Sequence, residues 1–108
     1  MGLAIFEKYS ATSSSKKSKI PTLEINKSAN TIFHILLDLL KKEEFENIES
    51  NQEYLDIYAE KFGYELSIQI YVNGLKTNVD LSVYGENKRG KTRKFLITYY
   101  QIIKNALN

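Results

Sequence analysis

Cysteine is absent from this 108-residue chain and histidine occurs once. Without thiols there can be no disulfide, no thiolate metal centre and no cysteine nucleophile, so packing rather than cross-links must hold the fold, and thiol redox chemistry is excluded. A lone imidazole, His34, cannot assemble a metal site alone; Asp38 lies one helical turn further on, close enough for a local hydrogen bond, and a structural role is expected. No D-x-D-x-D-G loop is present to hold calcium. No apolar run is long enough to cross a bilayer, and no repeat of about 20 to 50 residues is visible. The opening decapeptide MGLAIFEKYS has too short an apolar stretch and no early positive charge for a secretory signal. Phe6 also stands where a myristoylation signal needs serine or threonine. These absences point to a cytoplasmic protein with no membrane span, no metal and no cofactor.

What is present is ordinary in amount and uneven in arrangement. Apolar residues make up 43% and charged residues 26%, the proportions of a soluble globular chain long enough for one modest core. The net charge of +2 hides a separation. Between Lys41 and Glu60, two lysines face Glu43, Glu44, Glu46, Glu49, Glu53, Asp56 and Glu60, whereas Lys88, Arg89, Lys91, Arg93 and Lys94 follow one another with no acid between them. The two ends of the fold are expected to carry opposite signs, which can steer a charged partner.

Along the chain, residues 1–19 read as an N-terminal arm and Ser/Lys-rich linker, the stretch SATSSSKKSK having no apolar periodicity; the leading decapeptide is either loosely joined or an edge strand or short helix docked late. Residues 20–108 read as a single α+β domain. Thr22 to Asn26 alternates as a short strand, and Ser28 offers an N-cap for a helix over residues 29–44. The apolar positions of that helix, Ile32, Phe33, Ile35, Leu36, Leu37, Leu39 and Leu40, wrap more than half its circumference, so it is covered on more than one side. Leu55, Ile57 and Ala59 alternate again. Asn73-Gly74 lies between two alternating runs and predicts a two-residue type I′ hairpin. Counting outward from that turn pairs Val72 with Leu75, Ile70 with Thr77, Ile68 with Val79 and Leu66 with Leu81 on the buried face. Glu65, Ser67, Gln69, Tyr71, Lys76, Asn78, Asp80 and Ser82 fall on the other face, too polar for a second core. From Thr92 to Leu107, Phe95, Leu96, Tyr99, Ile102, Ile103 and Ala106 form one helical stripe.

The expected fold is α+β: an antiparallel sheet of three to five strands packed on one face by two helices, in the order β-α-β-β-β-α. From Thr22 to Leu107 this order resembles one half of the TATA-binding protein and parts of helix-grip folds such as the START-like domains. The likeness is of topology, without a shared motif, and implies a fold rather than a function.

Gly85 to Thr92 read GENKRGKT, a full match to G-x-x-x-x-G-K-[ST] between a predicted strand and a predicted helix. A working P-loop needs a buried parallel strand beneath it and an acidic residue on a later or neighbouring strand to orient magnesium. Here the preceding strand reads as antiparallel and the chain continues for only one helix, so nucleotide binding is disfavoured. A weaker role survives, with Lys88, Arg89, Lys91, Arg93 and Lys94 as anion-binding candidates at a helix start whose first N–H groups lack partners. On the open sheet face, Gln69, Tyr71, Lys76 and Asn78 are candidates for contact. Tyr71 is the one tyrosine clearly displayed, since Tyr64 falls with the core set and Tyr99 on the helical stripe. The chain is therefore read as a non-enzymatic interaction module contacting its partner through the sheet face or the basic loop. An acidic protein surface or nucleic acid would suit the loop, and self-association is compatible with both surfaces. A carrier of a small apolar ligand is the remaining alternative and would need a void lined by Phe33, Leu37, Ile57 and Ile68.

Overall fold

Among the described residues two strands precede the first helix, four follow it, and a long helix comes last. The computed structural model describes residues 6–11, 20–86 and 90–108. Within them run β1 (Phe6–Ala11), β2 (Leu23–Ile25), α1 (Ala29–Lys42), β3 (Glu46–Asn51), β4 (Asp56–Lys61), β5 (Tyr64–Asn73), β6 (Lys76–Glu86) and α2 (Lys91–Leu107). All strands join one antiparallel sheet in the order β1-β6-β5-β4-β3, with β2 also paired to β6. The α+β class and the antiparallel sheet agree with the sequence expectation. The count does not: the sheet has six strands, because β1 joins its edge and four strands rather than three separate the helices.

Alternation builds the core. Ile57 and Ala59 of β4, Leu66, Ile68 and Ile70 of β5, and Val79, Leu81 and Val83 of β6 all point to one face and are buried. Ile32, Phe33, Leu36 and Leu40 of α1 and Phe95, Leu96, Tyr99, Tyr100, Ile103 and Leu107 of α2 close over that face in a continuous cluster. Leu36 and Ile103 are at 0% exposure. The α1 N-cap is Ser28, whose Oγ accepts the Thr31 N–H at 3.2 Å, while Lys41 and Lys42 in the last turn complement the helix dipole.

The β5–β6 hairpin keeps the predicted faces and changes the predicted pairing. Asn73 lies opposite Lys76, Val72 opposite Thr77, Ile70 opposite Val79 and Ile68 opposite Leu81. The two loop residues are thus Gly74 and Leu75, not Asn73 and Gly74. Gly74 alone has positive φ, +67°, placing glycine at the first central position as a type II′ turn requires. The shift along β6 is two residues, an even number, so every side chain stays on its expected face. Val72 and Leu75, expected in the core, instead project from the hairpin tip at 66% and 100% exposure.

Candidate functional site

The open sheet face is built by the residues that alternate with the core. Reading across strands, Asn78 of β6 stands between Glu24 of β2 and Tyr71 of β5; Asp80 lines up with Gln69, Asp56 and Asn51; Ser82 with Ser67, Tyr58 and Glu49; and Tyr84 with Lys8 on one side and Glu65, Glu60 and Glu46 on the other. Carboxylates therefore recur in every row. Lys8 and Lys76 are the lysines on this face among the described residues. The middle rows form a groove of about 400 Å³ lined by Glu49, Asn51, Asp56, Tyr58, Ser67, Gln69, Asp80 and Ser82.

Neutral donors hold three of these acids, Asp80, Glu65 and Glu60. Asp80 accepts the Thr22 hydroxyl at 2.6 Å and the Tyr71 hydroxyl at 3.1 Å. Tyr58 sits between two glutamates, its hydroxyl 2.6 Å from Glu65 Oε1 and 2.9 Å from Glu60 Oε1. A phenol has one proton, and losing it would set a third negative charge between the two. The hydrogen bond to Glu65, then partial burial and the bond to Glu60, accordingly hold the Tyr58 hydroxyl well above the usual tyrosine range. Glu60 is held below the usual carboxylate range by the Asn47 amide, 2.8 Å away, and by Tyr58. Hydrogen bonds from neutral groups fix carboxylates in place without cancelling their charge.

The sequence candidates on this face separate. Gln69 is exposed, donating to the Tyr54 carbonyl at 2.9 Å, and Tyr71 is 38% exposed. Lys76 stands exposed at the hairpin tip. Asn78 was expected in the open and is buried, at 7% exposure, with its Oδ1 lacking a hydrogen-bond partner among the described residues. The reason is β2, which places Glu24 beside it and makes this stretch of β6 an interior strand. Asn78 is therefore no part of an accessible contact surface.

At the other candidate, Lys88 and Arg89 lie outside the described residues. Lys91, Arg93 and Lys94 are exposed on the first turn of α2. Of the N–H groups at the helix start, expected to lack partners, the one at the N-cap has a partner. Gly90, the N-cap at φ +84°, donates to both oxygens of Glu7 at 2.9 and 3.1 Å, so a carboxylate from β1 already occupies this position. In GENKRGKT, Gly85 lies within β6, antiparallel to both β1 and β5, and Thr92 is at 0% exposure with its Oγ1 unpartnered among the described residues. A P-loop threonine turns its hydroxyl toward magnesium; this one is turned into the protein.

Of the residues named for an apolar-ligand cavity, Phe33, Ile57 and Ile68 belong to the core at 2%, 2% and 1% exposure, and Leu37 packs at its border. His34 is exposed. Among the described residues no cluster of three acids or histidines has the makings of a metal site, and no helix is long and apolar enough to cross a membrane.

Sequence reasoning missed a third surface. Phe62, Tyr64, Phe95 and Tyr99 line a cleft of about 340 Å³ together with Lys91, Lys94 and Thr98. Phe62-Gly63, between two alternating runs, was the available signal: an X-Gly pair is a turn, and its first residue is set on the surface. No protein-family model, curated protein or solved structure matches the chain, so its function is read from its own residues.

Proposed function

We propose that this protein is a non-enzymatic interaction module that receives a basic partner on its open sheet face. The observation that carries this reading is the run of carboxylates across β6, β5, β4 and β3, from Asp80 through Asp56 to Glu49 and from Glu65 to Glu60 and Glu46, around a groove, with Asp80, Glu65 and Glu60 held by neutral donors. Such a face attracts lysine and arginine side chains, giving fast, salt-sensitive association. Gln69 and Tyr71 add amide and phenol groups for orientation. The same carboxylates oppose laying a polynucleotide over Gln69, Tyr71 and Lys76, so an anionic partner would be confined to the α2 end, where Lys91, Arg93 and Lys94 are exposed.

The test is an NMR titration of the labelled protein with hexa-arginine and, separately, with hexaglutamate. Hexa-arginine should shift the amides of Ser67, Gln69, Tyr71 and Asp80, with affinity falling steeply as salt screens the charges. The double variant Asp56→Asn/Glu65→Gln should weaken it about tenfold, or about 1.4 kcal/mol. Shifts confined to the start of α2, or affinity unchanged in the double variant, would refute the sheet face as the contact surface.

A further inference from the structure

The β4–β5 turn has an unexpected residue at its apex. Lys61 pairs with Tyr64, leaving Phe62 and Gly63 as loop residues at φ +55° and +79°. Two positive φ angles make the type I′ geometry that favours Asn-Gly, and a bulky aromatic is sterically poor at the first position. The Phe62 ring is moreover 76% exposed. Neither backbone geometry nor core packing accounts for phenylalanine here. It is nevertheless positioned: the Lys61 ammonium lies 5.2 Å from its ring centre and also near Phe45 and Tyr99, and donates to the Glu43 carbonyl. Behind Phe62, the ring of Tyr64 stacks on Phe95 at 4.2 Å, and Phe95 meets Tyr99 at 4.8 Å. The result is an aromatic cleft with Lys91 and Lys94, three residues apart on one face of α2, at its rim. Its chemistry fits an aromatic side chain flanked by carboxylates.

At the other end of β4 the chain carries that element. Tyr54 is 65% exposed and lies between Glu53 and Asp56. Its turn is fixed: Asn51 Oδ1 accepts the N–H groups of Glu53 and Tyr54 at 3.0 and 3.2 Å, Gln69 donates to the Tyr54 carbonyl, and Leu55 stands at φ +55°. We infer that the Glu53-Tyr54 turn of one copy docks in the Phe62–Phe95 cleft of the next, with Tyr54 as anchor and Lys91 and Lys94 opposite Glu53 and Asp56. The two surfaces lie at opposite ends of one strand about 20 Å long, so they cannot meet within a molecule and the contact is made between copies. A polynucleotide is the weaker occupant, since Phe62 is the single strongly exposed ring at the cleft.

Complementation tests this by sedimentation. The wild type should associate reversibly with a dissociation constant on the order of 100 µM, as expected for one anchor and a few exposed charges, and less in high salt. Tyr54→Ala, Phe62→Asn and Lys91→Glu/Lys94→Glu should each weaken association at least tenfold. Phe62→Asn should do so without lowering the melting temperature, because asparagine tolerates positive φ, which separates lost docking from lost folding. Mixing Tyr54→Ala, whose cleft is intact, with Lys91→Glu/Lys94→Glu, whose turn is intact, should restore a one-to-one complex and nothing larger. A monomeric wild type, association that survives Tyr54→Ala, or a mixture that stays monomeric would overturn the inference. So would tighter binding of oligothymidylate than of the acetylated peptide Glu-Tyr-Leu-Asp.

Discussion

Thr77 and Thr92 form a matched pair on which the energetics of buried hydroxyls can be tested within one protein. Both are buried, at 4% and 0% exposure. Thr77 Oγ1 donates to the Lys27 carbonyl at 2.7 Å, whereas Thr92 Oγ1 has no partner among the described residues. Valine has the shape of threonine with a methyl in place of the hydroxyl, and both are β-branched, with similar preferences in the strand that holds Thr77 and in the helix that holds Thr92, so each substitution isolates the polar group. At Thr77 valine removes a hydrogen bond and strands a carbonyl, a loss of about 1–2 kcal/mol. At Thr92 it removes a hydroxyl that was stripped of water without compensation, a gain of about 1 kcal/mol. With an unfolding entropy of about 2.1 cal/mol/K per residue, a chain of this length moves its Tm by about 4 °C per kcal/mol. Thr77→Val should therefore melt about 4–8 °C lower and Thr92→Val about 4 °C higher, opposite in sign. Urea unfolding followed by circular dichroism, with the dependence on urea unchanged between variants, measures both. A loss above about 0.5 kcal/mol for Thr92→Val would show that the hydroxyl is satisfied, by a buried water for example, and would refute the argument. The same variant bears on GENKRGKT: a P-loop deprived of its hydroxyl loses magnesium-dependent ATP binding, whereas binding that is absent in both proteins, or unaltered by the change, speaks against that chemistry.

Two further predictions concern the fold. Leu36→Ala and Ile103→Ala each remove a side chain at 0% exposure and should cost about 2–5 kcal/mol in the same urea assay; a loss below about 0.5 kcal/mol would mean that the wrong helix faces have been assigned to the core. Tyr58, Tyr64 and Tyr100 should ionise later than ordinary tyrosines in an ultraviolet titration, Tyr58 because of its glutamates and the other two chiefly through burial. A raised folded pKa means that the unfolded chain releases these protons first. Their contribution is then complete below about pH 10, the unfolded tyrosine value, and is lost as pH climbs toward the folded values. Tyr58→Phe should flatten that alkaline decline, and an unchanged decline would count against the Glu60–Tyr58–Glu65 arrangement.

Legibility in the sequence tracked burial. The strands from Tyr64 to Val83 alternate because one face is buried, and α1 announces itself through Ser28 and a wide apolar sector. β3 gave no such signal: in ENIESN only Ile48 is even half-buried, and an edge strand of glutamate and asparagine satisfies its backbone without writing a pattern. The hairpin register was misread because Asn73-Gly74 fits one turn type while Gly74-Leu75 fits another, and the neighbouring residues do not distinguish a slip of two. Asn78 misled for a different reason. Face can be read from alternation, but cover depends on which strand lies alongside, and β2 lies more than fifty residues from its partners in the ladder, Ile25 pairing with Thr77 and Leu23 with Val79. Of the candidate surfaces, the basic turn was visible as a run of like charge. The aromatic cleft was not, because it forms only when the turn after β4 comes to rest against α2.

The pairing of β1 with β6 constrains the order in which the molecule can assemble. Phe6 lies opposite Glu86 and Ala11 opposite Leu81, so β1, the first of the described strands, waits for β6, the last of them, before it has a neighbour. A chain emerging from the ribosome can complete β4 and β5 locally, yet β1 stays unmatched until β6 has emerged, and closing so long a loop is entropically the slowest of the sheet's steps. From its own emergence until β1 docks, the side of β6 that receives β1 presents free backbone amides and carbonyls to any other extended chain nearby. Glu7 on Gly90 then fastens the finished edge to the closing helix. The protein's exposure to misassembly during synthesis is thus set by how promptly a six-residue strand at the beginning of the fold finds its place at the end.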